Sequence, residues 1–251
     1  DAEFIEIYNP TGATITLTNY HLTDTSTKRP GYPNAATGTN VRYWYLPIAP
    51  GTAPSFGPSN AAGNSDFQLR FPDAATIASG AAQTIAINQL EFNNAYPAAP
   101  TYYIIQGPTA GAGQMRTWDG VAGQNFVASA TQGTGNGLTN GGEGIMLFTW
   151  DGALAPDLVT DVDYVFYGAE GNANQAIDKT GEMVNVSTFV NETTNLNFPA
   201  APGAGTSIQR TDWTESGETK TGGNGVGGHS EVSENHAAAW TVATETPGTI
   251  P

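Results

Sequence analysis

"FIEIYNPTGATITLT", residues 4–18, decides how the rest of the chain is read. Phe4-Ile5-Glu6-Ile7-Tyr8 is built from the β-branched and aromatic residues that favour strands. Asn9-Pro10-Thr11-Gly12 is a turn by composition. In residues 13–18, Ile15 and Leu17 share one face while Thr14, Thr16 and Thr18 share the other, the period of two expected of a half-buried strand. The spacing predicts a hairpin of 4–8 with 13–18, with Ile5 and Ile7 facing the core beside Ile15 and Leu17. Glu6 lies between Phe4 and Tyr8 on the opposite face, where it reads as an acceptor for loop amides.

Outward from this segment the same pattern recurs. Residues 19–24, 67–72, 76–77, 83–88, 145–150, 159–167, 206–211 and 239–242 read as strands, with 145–150 and 159–167 forming a second hairpin across Asp151-Gly152. Residues 89–101, with Pro97 and Pro100, are a poor candidate for regular structure. Tyr43, Trp44 and Tyr45 form an aromatic island that can stack on sugars or fill a partner's pocket. The chain is therefore expected to be all-β, a single domain over 1–251 with long insertions at about 25–65, 89–136 and 170–205.

Composition agrees and narrows the function. Of 251 residues only 12% are charged, against 31 Gly and 16 Pro, which suits strands and turns rather than helices. The net charge of −15 argues against nucleic acid and anionic lipid, both of which require Lys/Arg surfaces. It permits calcium, a hard cation that takes oxygen ligands. The absence of cysteine excludes disulfides, thiolate zinc sites and cysteine nucleophiles. No apolar run reaches the ~20 residues of a membrane span.

The order of these segments resembles the lamin-tail domain in its bacterial, exported form. The resemblance is carried by Phe4-Ile5-Glu6-Ile7-Tyr8-Asn9, then Leu17, Tyr20, Leu22 and Asp24, with Tyr20 where a tryptophan is usual. It continues through "FPDAATIASGAAQTIAI" (71–87), "LTNGGEGIMLFTWDG" (138–152) with "LVTDVDYVFYG" (158–168), "TSIQRTD" (206–212) and the closing "AAAWTVATETPGTIP". It implies an immunoglobulin-like β-sandwich, no enzymatic activity, and an extracellular or cell-surface protein whose signal peptide has been removed. The family usually places one more strand before the Phe4–Tyr8 segment. Its lack here makes Phe4, Ile5, Glu6, Ile7 and Tyr8 an expected assembly edge, to be covered either by one of the long insertions folding back or, the favoured reading, by a strand from another copy of the chain.

Catalytic signals are sparse. There are three histidines, His21, His229 and His236, and no Gly-x-Ser-x-Gly elbow. Asp161 and Asp163, two apart, should share one face of a strand, as a solvent-facing edge or as ligands. "TGGNGVGGHSEVSEN" (221–235) lacks the lysine of a phosphate loop; it reads either as a flexible tip or as a place where His229, Glu231 and Glu234 meet a cation. Asp161, Asp163, Glu231 and Glu234 are thus the candidate calcium ligands. The expected function is a structural subunit of a surface filament, layer or matrix; the alternative is a monomeric module binding surface polysaccharide, supported by calcium.

Overall fold

The computed structural model describes residues 2–24, 28–30, 41–43, 67–105, 111–116, 137–150, 159–168, 177–180, 183–184 and 187–250. Five strands come first: β1 (Phe4–Tyr8), β2 (Ile15–Thr16), β3 (Tyr20–Thr23), β4 (Lys28–Pro30) and β5 (Val41–Tyr43). β6 (Gln68–Arg70), β7 (Thr76–Ile77) and β8 (Ala82–Asn88) follow, and β8 runs directly into α1 (Gln89–Ala95). Next are β9 (Tyr102–Ile105), β10 (Gly142–Thr149), β11 (Thr160–Gly168), β12 (Met183–Val184) and β13 (Ser187–Thr188). β14 (Thr206–Arg210), α2 (His236–Ala239) and β15 (Trp240–Thr244) complete the series. The fold is all-β and sandwich-like, as expected.

Two sheets set the layers. One has the order β11-β10-β3-β6, the other β1-β8-β9. Alternation along β10 explains what lies between and outside them. Ile145, with Leu22, Leu69, Phe71, Ile85, Ile104 and Tyr167, fills the space between the two sheets. Met146 and Phe148 point the other way and join Tyr164, Phe166, Phe189 and Phe198 in an outer core. On the far face of the three-stranded sheet, α1 packs Phe92 against Ala86 and Tyr103, with Phe4 and Tyr96 at the margin. Each fully buried aromatic or aliphatic side chain contributes about 1.5–3 kcal/mol, so both faces of β10 are strongly specified.

The expected first hairpin does not form. β1 pairs antiparallel with β8, from Phe4↔Ala86 to Tyr8↔Ala82, and β2 pairs with β7. The reason lies in the turn. Tight hairpins need positive φ at their first central position, and Pro10 is locked at negative φ. Asn9 holds the chain in a crossing between sheets instead. Its buried amide donates to the Ala13 and Ile77 carbonyls at 2.8 and 3.1 Å, while its Oδ1 accepts the Thr11 N–H and hydroxyl. Ile5 and Ile7 still pack on the same core as Ile15 and Leu17, with β1 and β2 now in different sheets.

Two further corrections concern the insertions. Residues 89–95 are helical because Asn88 caps them, its Oδ1 accepting the Leu90 and Glu91 N–H groups at 3.0 and 3.3 Å; Asn followed three residues on by Glu is a helix-start signal. The 170–205 segment is not decoration, since Ile177, Phe189 and Phe198 belong to the outer core. Tyr43 is the last residue of β5, while Trp44 and Tyr45 lie outside the described residues.

Candidate functional site

Two features could carry function: an acidic cluster beside β11 and the outer edge of β1, which has no strand partner among the described residues. The cluster starts from an irregularity. The β10–β11 register shifts between Leu147 and Phe148, so Leu147 faces Asp163 and Phe148 faces Asp161, with Val162 as the extra residue. A bulge of this kind re-aims side chains. It overturns the expectation that the two aspartates share a face: Asp161 follows Phe148 into the outer core, and Asp163 turns to Arg210.

Asp161 is fully buried and already satisfied. The Lys179 ammonium donates to its Oδ2, the Tyr164 hydroxyl donates to its Oδ1 at 2.6 Å, and Lys179 Nζ also lies 3.1 Å from the Tyr164 oxygen. Nζ sits 5.3 and 5.1 Å from the ring centres of Tyr164 and Phe189. Burial raises the Asp161 carboxyl, and Lys179 and Tyr164 work against that shift. This is an interior ion pair that ties the 177–180 segment to β11.

Arg210, at the end of β14, organises the second group. It donates to Asp163 and to Glu234 Oε1, the latter at 2.8 Å, and lies 3.6 Å from Glu215 Oε1. Its guanidinium sits 4.5 Å above the Trp240 ring centre. Glu234 also accepts from the Trp240 indole at 3.3 Å and stands 3.1 Å from His236 Nδ1. Burial works to raise Glu234, but His236 and Arg210 outweigh it and hold its carboxyl below the usual range.

The glycine-rich loop brings the remaining acids in. The Gly223 N–H donates to the Gly228 carbonyl and the Gly225 N–H to His229, both at 2.8 Å. Gly225 bridges Asp161 on β11. A Cβ on Gly223 would stand 2.1 Å from the His229 oxygen; one on Gly225 would meet Glu231 Oε1 at 2.9 Å and the His229 and Asp161 carbonyls at 3.0 and 3.3 Å. The glycines therefore permit close backbone approach. The loop places Glu231 within 4.8 Å, ligand atom to ligand atom, of both Asp163 and Glu215. A second group of the same tightness is Glu215, Glu218 and His229, with Lys220 donating to Glu218 and Glu215 at 2.7 and 3.2 Å.

Of the four acids expected from sequence, Asp163 and Glu231 thus converge, while Asp161 and Glu234 are held by Lys179 and Arg210. Glu215, Glu218 and His229 were not foreseen as a group. They lie on turns, where spacing carries no periodic signal.

The edge of β1 is the other feature. The Ile87 N–H donates to the Glu3 carbonyl and the Asn9 N–H to Ala81. In an antiparallel ladder with this register, Glu3, Ile5, Ile7 and Asn9 face β8 with their backbone groups. The N–H and C=O groups of Phe4, Glu6 and Tyr8 point outward, and they have no backbone partner among the described residues. Contacts along this flank run through side chains. Glu6 Oε1 accepts the Gly248 N–H at 2.6 Å and the Thr84 hydroxyl at 3.0 Å, and Tyr8 meets the Trp213 ring edge-on at 4.9 Å. Burial raises the Glu6 carboxyl, and these two donors offset part of that.

No family model, curated protein or solved structure matches the chain.

Proposed function

We propose that this chain is a non-catalytic, extracellular structural subunit of a surface filament, layer or matrix, and that the open edge of β1 receives an extended segment of a neighbouring copy. The observation that carries the reading is the outward row of backbone groups on Phe4, Glu6 and Tyr8. Such a row is a template for strand addition. Each backbone bond made there contributes about 0.5–1.5 kcal/mol net, and a head-to-tail contact that does not close propagates into a filament. The lamin-tail resemblance and the low charge support an adhesive or scaffold role. Among the described residues no helix is long and apolar enough to cross a membrane.

The test uses proline geometry. Glu6→Pro removes an N–H from the outer edge while leaving the β1–β8 ladder its donors; Glu6→Gln keeps that N–H and the side-chain acceptor. Light scattering and electron microscopy should show assemblies for the native chain and Glu6→Gln, and monomers for Glu6→Pro. A native chain that stays monomeric at all concentrations refutes this reading and favours the polysaccharide-binding module, with Tyr43, Trp44 and Tyr45 as the residues to test.

A further inference from the structure

The Glu231 carboxyl has no partner among the described residues. The residue is 5% exposed; its backbone carbonyl accepts the Glu234 N–H at 3.5 Å, but its side chain makes no hydrogen bond or ion pair to a described residue. Every other acid of the cluster has a cation: Asp163, Glu215 and Glu234 share Arg210, and Glu215 and Glu218 share Lys220. A second orphan stands beside it, because Glu218 Oε1 is buried without a partner. A buried polar atom left unsatisfied costs about 1–3 kcal/mol, more if charged. A leucine at 231 would avoid that cost. The glutamate is instead placed with Asp163 and Glu215, and the loop that carries it is packed so tightly that Gly223 has no room for a side chain.

We infer that Asp163, Glu215 and Glu231 bind a divalent cation of the hard, oxygen-seeking class, calcium, with Glu218 and His229 at the margin of the site. The donor set decides the metal class. Three carboxylates are hard oxygen ligands, suited to calcium rather than to zinc. Charge points the same way: five carboxylates (Asp163, Glu215, Glu218, Glu231 and Glu234) stand against the two cations Arg210 and Lys220. This inference does not depend on how the β1 edge is used.

The experiment takes the full chain, treated with chelator and titrated with calcium, magnesium or zinc by calorimetry at neutral pH. Calcium should bind one to one, with a Kd below about 1 mM, the weak end of extracellular calcium modules. It should raise Tm. Glu231→Gln should weaken binding at least ten-fold and abolish the rise in Tm while keeping the wild-type circular dichroism; Asp73→Asn, an acid outside the cluster, should leave both unchanged. If Glu231→Gln does not fold, Glu215→Gln serves in its place with the same expected loss. Three outcomes overturn the inference: no saturable calcium binding up to about 1 mM, binding unaffected by the Glu231 and Glu215 substitutions, or zinc binding without calcium, which would move the site to Glu215, Glu218 and His229.

Discussion

Lys179 is a fully buried cation, and its charged partner among the described residues is Asp161. Removing one member of such a pair leaves the other buried and uncompensated, at a cost of about 3–5 kcal/mol. Lys179→Met should lower stability by about that amount in urea titration. Lys179→Met combined with Asp161→Leu should recover most of the loss, since apolar replacements of a buried pair are often neutral. Equal losses in the single and double variants would mean that packing, not charge, holds this site. Glu231 makes a separate prediction. Its folded pKa is raised, so the folded protein holds that proton more tightly than the unfolded chain. The resulting stability is complete below the ordinary glutamate range and is lost as pH rises towards about 10. The metal-free wild type should therefore lose Tm relative to Glu231→Gln as pH climbs through neutrality. His21, which burial lowers to about 4, costs stability as pH falls below its ordinary range. It is common to both proteins and cancels in the difference. A pH-independent difference in Tm would refute the Glu231 assignment.

Among the elements, the 221–235 loop depends most on the absence of side chains. An alanine at 223 would press on the His229 carbonyl and on the Ser230 Cα, which would lie 2.7 Å away; both are backbone. Gly223→Ala should cost about 1–3 kcal/mol, as overpacking does, and should weaken any cation binding by shifting Glu231. Gly12→Ala, with nothing within 4 Å of its Cβ, should change stability by less than about 0.5 kcal/mol. Thermal melts of the two variants check both. Elements were legible where a period ran uninterrupted. β10 and β11 were read as a hairpin because Asp151-Gly152 lies between two apolar runs, and they pair. α1 was missed because the prolines after it drew the reading away from its Asn88 cap. The β10–β11 bulge was invisible, since one extra residue leaves a strand's composition unchanged.

For the whole molecule, β10 is the hinge of the energetics: its two faces serve two cores. Phe71→Ala removes a side chain between the sheets and Phe166→Ala one from the outer core, each costing about 3–5 kcal/mol. Because the cores share a strand, both should lower one calorimetric transition, with calorimetric and van't Hoff enthalpies remaining equal. Two separated transitions in either variant would show that the cores fold independently. The sequence by itself determined the class of fold and the charge, because strand periodicity, turn residues and acid excess are local or additive properties. It also placed Ile5, Ile7, Ile15 and Leu17 on the core, since alternation survives any change of partner. Which strand pairs with which was decided only in three dimensions: Pro10 and the Asn9 bonds to Ala13 and Ile77 carry the chain from one sheet to the other. The acidic cluster belongs to that second kind. Asp163, Glu215 and Glu231 are far apart along the chain, and a bulge, a turn and a glycine-packed loop are what bring their carboxylates together.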